Sequence, residues 1–487
     1  MDKLGCEIET FYVLHTGGGI PMKPATTVRQ ELESYLRRAG LTLQQFSEIS
    51  GINQGTISAM LSGYRQISIH NLDLITEGMG LEQGALYEIY LEECLRGVPL
   101  HWRRLGPFIR RCAELNKLGC LEQLVQAVAD RLSYMPVLFE MAEQFFREGK
   151  RKAAALLYHC VAECEKYQHS ERLALSRYRL FTIHLGENQE ENLRAAVLFE
   201  DYVDRLDERV QLDALKDLAD VYASLHRWDR VESLAEKLEQ KATIQYRHRV
   251  NRKRKEAMDK GASRPELFYL LYAYLLKANV CDARQEYAQA LEYVTLYSGD
   301  ALHGIAASDE EERRVVEQFQ EWGRANAYVY RLMLGEVQVL ANYADWVASN
   351  VQEVVPAMYR ILQAANQFGL NVDHLLDRFG AHLTYMDRSC RFGKYNMQIV
   401  ADQYVRYLWE LAHYYFRTRR YEMGFRQLFE GMELALRFNH ESMLIRYARL
   451  FEKFRHEASG EVQDQYKHLF CEVEKNYEKK NVLVDHT

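Results

Sequence analysis

The chain has 487 residues, too many for one hydrophobic core, so two or three domains are expected. A hydrophobic content of 48% with 27% charged residues is typical of a globular protein, and no stretch approaches the roughly 18 apolar residues that span a bilayer. The net charge of −7 neither indicates nor excludes nucleic acid as a partner. Only seven prolines occur and alternating β-type patterns are scarce, which predicts an all-α protein.

The first residues do not have the pattern of a signal peptide, because a basic start followed by an apolar core is lacking. Three glycines at 17–19 and a second methionine, Met22, indicate a flexible arm over residues 1–24. The sequence leaves open whether residues 1–21 belong to the native protein.

Residues 41–63, LTLQQFSEISGINQGTISAMLSG, have the pattern of a helix-turn-helix. Phe46 lies on the inner face of the first helix, and Gly51 falls in the turn, where a positive φ is needed. Asn53 is a good N-cap for the second helix. Apolar residues then recur at helical spacing as the inward stripe of that helix: Ile57, Met60 and Leu61.

The outer face of the second helix carries Gln54, Thr56 and Ser58, short polar side chains that can enter a major groove and reach base edges. Further helices are predicted at 28–38, 68–78 and 82–95, in the order that completes a small domain. An ordinary αα-corner would share the glycine and the apolar stripe, but the flanking helices favour DNA binding.

Residues 28–95, with the signature FSEISGINQGTISAMLSGYRQIS, resemble the Cro/repressor-like (XRE-type) DNA-binding domain. The resemblance implies that the second helix faces DNA and that the segment after it touches phosphates. We therefore predict a DNA-binding domain over residues 25–96. Its predicted contact residues are Gln44, Asn53, Gln54, Thr56, Ser58, Tyr64, Arg65 and Gln66.

This domain carries no excess positive charge, because five basic and five acidic side chains occur between residues 22 and 80. Most DNA affinity comes from phosphate neutralisation and counterion release, so a single copy should bind weakly. We therefore expect a homodimer that reads two half-sites of a double-stranded operator.

The remainder of the chain follows a predicted linker at 97–103 and reads as a succession of helix pairs over residues 104–487. Four segments share a small residue followed three positions later by a large one: 135–167, 215–240, 266–294 and 407–436. The small residues are Ala142, Ala219, Ala273 and Ala412. These segments resemble tetratricopeptide repeats, which implies a right-handed α-solenoid with a concave groove.

The resemblance places the first helix of each pair in the groove, which would hold a short peptide or a partner helix. The peptide-binding residues predicted on this basis are Glu143, Arg147, Lys216, Asp220, Tyr274, Trp409, His413 and Arg417. Asn326, Asn342 and Asn366 are added as further amides in helical context, and the sequence leaves open whether they face the groove or are solvated or capping residues. A bare dimerisation scaffold is the alternative. The basic run HRVNRKRKE at 248–256 is interpreted as a solvated helix end rather than a second DNA contact.

A repressor-type domain followed by such repeats resembles the Gram-positive peptide-pheromone receptors (the RRNPP group). That resemblance implies a cytoplasmic quorum-sensing transcription regulator in which a short signalling peptide alters the dimer and its DNA binding. A DNA-binding regulator whose repeats bind a protein partner is the alternative, and the operator, the peptide and the direction of regulation stay open.

Catalysis and bound metals are not expected. The sequence has no phosphate loop, HExxH, GxSxG or dinucleotide fingerprint, so we predict no enzyme and no cofactor. The nine cysteines are scattered without a CxxC pair, which suits a reducing compartment. His159, Cys160 and Cys164 offer three ligands near one helix face, but buried cysteines on a packed helix are the commoner case.

Overall fold

The computed structural model describes these parts of the chain: residues 27–96, 101–168, 170–186, 188–251, 262–299, 310–383, 396–438 and 440–471. Regular structure in these ranges is helical throughout, with no strand, which confirms the all-α prediction. The predicted arm at 1–24 and residues 97–100 of the predicted linker lie outside the described residues. No helix in the described part is both long and apolar enough to cross a membrane.

Contacts divide the chain into two compact units, unit 1 (residues 1–167) and unit 2 (residues 168–487). The helices of unit 1 are α1 (Val28–Ala39), α2 (Leu43–Ser50), α3 (Gln54–Leu61), α4 (Ile69–Gly78), α5 (Tyr87–Arg96), α6 (Trp102–Glu114), α7 (Leu118–Gln126), α8 (Met135–Arg147) and α9 (Arg151–Cys164). Unit 1 thus holds the helix-turn-helix region together with the first two helix pairs of the region predicted as repeats. The division into domains at residues 97–103 stays a prediction.

Unit 2 continues the succession of helices. They are α10 (Glu171–His184), α11 (Gln189–Glu200), α12 (Glu208–Ser224), α13 (Trp228–Asn251), α14 (Glu266–Ala283), α15 (Tyr287–Ser298), α16 (Glu310–Met333), α17 (Leu340–Ser349), α18 (Val354–Phe368), α19 (Asp373–Phe379), α20 (Asn396–Arg417), α21 (Tyr421–Arg437) and α22 (Glu441–Phe454). Residues 460–471 are again helical. Consecutive helices pack as antiparallel neighbours, with α12 on α13, α14 on α15 and α20 on α21.

Five of the helix pairs share one turn. A single residue with left-handed φ stands between the two helices, two positions after the first ends and two before the second begins: Asn116, Gly149, His226, Gln285 and Arg419. The next N–H donates to the carbonyl five residues back at 2.8–2.9 Å, which satisfies an end carbonyl of the first helix. The pairs therefore repeat in backbone geometry, whatever their side chains.

This turn aligns the repeats by structure. Counting back seven positions from the left-handed residue gives Ala142, Ala219 and Ala412, which are fully buried where the two helices approach. In the third pair the same position is Ala278, whereas the sequence comparison had aligned Ala273, five residues earlier. Both alanines are fully buried, so apolar patterning alone did not separate the two registers.

Four side chains of unit 2, His226, Asp402, Arg406 and His440, form a hydrogen-bonded group that we call the clasp. It joins residues 180 positions apart in the sequence. His226, in the turn after α12, lies 3.0 Å from the Arg406 guanidinium of α20, which in turn pairs with Asp402 at 2.8 Å. His440 bonds the other oxygen of Asp402. The pKa of the Asp402 carboxyl lies well below its usual range, because hydrogen bonds from both histidines and the Arg406 charge outweigh the opposing effect of burial.

The helix-turn-helix domain packs α4 closely against α2. Gly78 closes α4, and a Cβ there would lie 2.8 Å from Cβ of Ser50 and 3.1 Å from the Phe46 ring. Real Cβ atoms essentially never show a contact of 2.8 Å, and 3.1 Å is tighter than most, so α4 would have to move. A glycine is therefore needed for the approach that builds this core.

We expect Gly78→Ala to lower the stability of the domain by about 1–3 kcal/mol, because overpacking forces backbone shifts in a closed core. The measurement is urea unfolding of the full chain, with hydrogen exchange of α2 and α4 to locate the loss. Gly119→Ala is the matched control, since its Cβ would meet nothing within 4 Å in helix α7. Equal stability of the two variants would contradict the packing argument.

Candidate functional site

The α2–turn–α3 corner is built as the sequence predicts. The Thr42 side chain caps α2 in a reciprocal pair with Gln45, and Gly51 ends α2 in the left-handed region at φ 69°. The Asn53 side chain accepts from the Gly55 N–H at 2.9 Å and caps α3. Both helices of the corner are therefore set by local hydrogen bonds.

The inner face of α3 packs into the domain core. Ile57 and Met60 are fully buried, and Ile52 is buried beneath the turn. Leu61, predicted on the same stripe, is half-buried at the end of the helix. Because the apolar side of α3 is used in this way, its polar side is left for solvent or a ligand.

The predicted DNA-contact set lies on that free side. Seven of its eight members are exposed, namely Gln44, Asn53, Gln54, Ser58, Tyr64, Arg65 and Gln66. Thr56 is half-buried, and its hydroxyl lies 3.4 Å from Nη1 of Arg65. The Tyr64 side chain is 94% exposed, which is unusual for an aromatic ring of a folded domain.

The charge of this surface is low. Helix α3 has no formally charged residue, and Arg65 beside it is the nearest cation along the chain. Amide and hydroxyl groups read base edges by hydrogen bonding, and free N–H groups at helix starts attract phosphate oxygens without formal charge. The arrangement is suited to direct readout, with a small share of binding from ion pairs.

Helix α4 is fastened to α6 within unit 1. Asp73 of α4 accepts from the Tyr87 hydroxyl at 2.7 Å and from Nε of Arg111 at 2.8 Å. Arg104 of α6 donates to the Tyr90 hydroxyl of α5 at 3.0 Å. Burial raises the pKa of Tyr90 to about 12, so the phenol keeps its proton in this contact.

An open cleft of about 720 Å³ lies between α4 and α6. Charged groups of both signs line it, with His70, Asp73 and Glu77 from α4 and Arg110, Arg111 and Glu114 from α6. Trp102 forms part of its apolar side. The side chains that join the helix-turn-helix domain to the first helix pair are therefore accessible to solvent.

Two of the predicted peptide-binding residues belong to unit 1. Glu143 of α8 accepts from the Tyr158 hydroxyl of α9 at 2.6 Å, so this carboxylate links the two helices of its own pair. Arg147, one turn further along α8, is exposed.

Several predicted groove residues of unit 2 have partners in the protein. Lys216 pairs with Asp220 at 2.7 Å, and the Tyr272 hydroxyl donates to the same carboxylate. Asn326 donates to the Tyr297 hydroxyl at 2.9 Å. The pKa of Tyr274 is raised by burial and by its contacts with Glu239. Asn342 is exposed.

The turn register identifies one residue that the sequence analysis missed. Six positions before the left-handed residue stand Glu143, Asp220, Asn279 and His413, and all four are half-buried and polar. Asn279 takes the place to which Tyr274 had been assigned in the third pair. The spacing to the left-handed turn residue was the signal that would have found it.

The late groove residues form a cluster around α20. Asn366 of α18 donates to the buried Glu410 carboxylate at 2.8 Å, and burial raises the pKa of Glu410. On α20, which also carries Glu410, the rings of Trp409 and His413 lie 5.5 Å apart. Arg417, one turn on, donates to the Leu370 carbonyl at 2.7 Å.

The remaining candidates show no site. Cys160 and Cys164 lie on α9 with their sulfurs 3.9 Å apart, and His159 is exposed while Cys160 is buried. In the ranges described, no group of three His, Cys, Asp or Glu side chains is arranged to hold a metal ion. The basic run at 248–256 lies mostly outside the described residues, which end at 251 in that segment.

Comparisons with known proteins identify the corner. The family model described as Helix-turn-helix matches residues 32–82, which begin within α1 and end within the α4–α5 connection. No curated protein matches the sequence. A solved structure titled "Circular tandem repeat protein with novel repeat topology and enhanced subunit contact surfaces" aligns with 14% identity over 92% of this chain and 90% of that one, at a TM-score of 0.17.

We expect Arg111→Ala to loosen the link between α4 and α6, because Asp73 then keeps only its tyrosine partner. Both side chains are partly exposed, so the loss should be about 1 kcal/mol. Hydrogen exchange in α4 and α5 should become about 5-fold faster. Arg103→Ala on the exposed side of α6 is the control, and equal exchange in both variants would refute the link.

Proposed function

We propose that the chain, which carries an XRE-type helix-turn-helix domain, is a sequence-specific transcriptional regulator that binds double-stranded operator DNA. The observation that carries this proposal is the α3 surface, which is polar and exposed while the opposite side of the helix is fully buried. A helix of this kind fits a major groove, where each base pair presents a distinct donor and acceptor pattern.

Within this proposal Gln54 and Ser58 read base edges from the start of α3. An amide of glutamine can form two hydrogen bonds with adenine, and a serine hydroxyl serves as donor or acceptor. Tyr64, Arg65 and Gln66 follow α3 and contact phosphates, which sets the register on the duplex without carrying sequence information.

The operator complex holds a homodimer. One copy of a domain with balanced charge gains little from counterion release, and two copies on two half-sites double the number of contacts. Analytical ultracentrifugation of the full chain with a duplex should give two chains per operator. A saturated complex with one chain per duplex would refute the dimer.

The helix pairs of the chain, in our proposal, bind a short signalling peptide in the manner of a quorum-sensing receptor. Support comes from the half-buried polar residues that recur in the first helix of each pair, six positions before the left-handed turn residue. In unit 2 these are Asp220, Asn279 and His413. Side-chain amides and charges at regular spacing suit an extended peptide backbone. The tetratricopeptide-like character of the pairs and their right-handed superhelix belong to the same proposal.

Peptide binding would alter the dimer only if the peptide binds two arrangements with different affinity, because equal affinity shifts no equilibrium. The regulator is further proposed to be cytoplasmic and to act without catalysis or a cofactor. If peptides encoded beside the gene fail to bind the full chain in calorimetric titration, the peptide proposal is wrong and a protein partner replaces it.

The test of DNA recognition is the double variant Gln54→Ala with Ser58→Ala. Both side chains are exposed, so the fold should persist, while discrimination between operator and random DNA should fall by about 10–100-fold. Operators selected from random duplexes and footprinting on them supply the measurement.

The control for this test is Glu48→Ala, an exposed residue of α2 outside the predicted contact set. It should leave operator discrimination unchanged, and thermal unfolding should confirm that both proteins are folded. An unchanged footprint with the double variant would show that α3 does not read the DNA.

A further inference from the structure

We infer that unit 2 contains a binding site for a small molecule that carries a phosphate group, formed by Trp409, His413 and Arg417 of α20 with Arg446 and Lys453 of α22. The inference goes beyond the proposed function, since it needs neither DNA nor a peptide. It rests on four observations about charge, burial and placement.

The first observation is the gathering of cations on two packed helices. Helix α20 contacts α22, and the charges of Lys453, Arg417 and Arg446 all act on the His413 ring. The geometry agrees for Arg446, whose guanidinium carbon lies 4.1 Å from the centre of the Trp409 ring, which is itself 5.5 Å from the His413 ring. Like charges near one another repel unless an anion or solvent compensates them, so the three cations raise the positive electrostatic potential around His413.

The second observation is that these cations have no carboxylate partners. Among residues 396–438 and 440–471 and the other described segments, none of the three forms an ion pair. Neighbouring arginines do form them, as Arg420 does with Asp373 at 2.7 Å and Arg455 with Glu452. The three cations that act on His413 therefore differ from these two arginines in having no carboxylate partner within the described residues.

The Glu410 carboxyl, which lies one turn before His413 on α20, does not form an ion pair with the cluster in the described segments. Glu410 is 5% exposed and its carboxylate is bonded by Asn366, while burial raises its pKa. No ion pair joins it to Arg446 in the described structure. Its charge acts on Arg446, but in the described part of the chain no hydrogen bond or ion pair directs that guanidinium to it, so the Arg446 side chain stays open to a further anion.

The third observation is how the guanidinium groups are held. Arg417 donates through Nη2 to the Leu370 carbonyl, and its Nε is buried with no hydrogen-bond partner in the described part of the chain. The Arg446 guanidinium carbon lies 4.1 Å from the centre of the Trp409 ring, whose indole N–H points at the Arg446 carbonyl at 3.4 Å. Both heads are positioned before any ligand arrives.

The fourth observation concerns His413 itself. Burial lowers its pKa, and the three cations lower it further, so the imidazole is neutral near pH 7. A neutral ring offers one N–H donor and one acceptor, whereas a protonated ring would add a fourth charge. Neutral His413 can thus bond an oxyanion without further crowding of charge.

The charge of the cluster indicates the class of ligand. Two guanidinium groups and one ammonium group match a doubly charged group with three oxygens better than a single carboxylate, which has one charge and two oxygens. Phosphate fits these demands, either free or as the phosphate of a small metabolite. The source is left to the experiment.

The experiment titrates the full chain with inorganic phosphate, with a nucleoside monophosphate and with acetate at constant ionic strength, by calorimetry. Phosphate and the monophosphate should bind, and acetate should bind at least 10-fold more weakly. Tighter binding of the monophosphate assigns the site to a phosphorylated metabolite, and equal binding assigns it to free phosphate. Equal binding of acetate and both phosphates, or no binding of phosphate, overturns the inference.

The variants Arg446→Gln and Lys453→Gln should each weaken phosphate binding by about 10-fold, because each removes one charge from an exposed side chain. Arg449→Gln is the matched control, since Arg449 is an exposed cation of the same helix outside the cluster. Equal loss in all three variants would mean a diffuse charge effect and would overturn the site.

Proton NMR gives an independent readout. A bound phosphate should raise the pKa of His413, because a nearby anion favours the charged imidazole, and the resonance is assigned by its loss in His413→Gln. A His413 titration curve that phosphate leaves unchanged would overturn the inference. This result does not depend on whether the chain binds DNA or a peptide.

Discussion

One backbone hydrogen bond decides the geometry of the helix pairs: the N–H after a left-handed turn residue donates to the carbonyl five positions earlier. It brings the second helix back against the first and fixes which positions of the first helix meet it. Buried alanines then follow at seven positions before the turn, as at Ala142, Ala219 and Ala412, and polar residues follow at six. In four of the five turns a residue other than glycine takes this conformation, at a cost that the packing of the pair must outweigh.

The helix-turn-helix could be predicted from the sequence because its determinants are local. The Asn53 cap, the glycine of the turn and the apolar spacing in α3 all act within a few residues, and each was found where the pattern placed it. The Thr42 cap of α2 is equally local, although it was not among the predicted features. The helix pairs were predicted for the same reason. Their register was not secure in α14, where apolar residues cover most of the helix and two alanines are equally buried.

The hydrogen-bond and ion-pair partners of the polar side chains could not be predicted from the sequence. Glu143 receives the hydroxyl of Tyr158, and Lys216 pairs with Asp220, contacts that the sequence did not indicate. Ligand binding by Glu143 and Lys216 stays a prediction. Arg446 is not among the residues predicted from the sequence, since only the packing of α22 on α20 brings it beside Trp409. Such contacts depend on how helices stack, and a single sequence carries no direct record of that stacking.

The clasp of His226, Arg406, Asp402 and His440 has a consequence for how unit 2 folds. Stacked helix pairs ordinarily melt one at a time, since each senses only its neighbours and the array behaves as a linear chain of weakly coupled segments. The hydrogen bonds of the clasp connect the turn after α12 with α20 and with the start of α22, so these distant parts of unit 2 become interdependent. Fraying at the carboxyl side is thereby opposed from the opposite end, and the region between the two should open as one cooperative block rather than unravel stepwise.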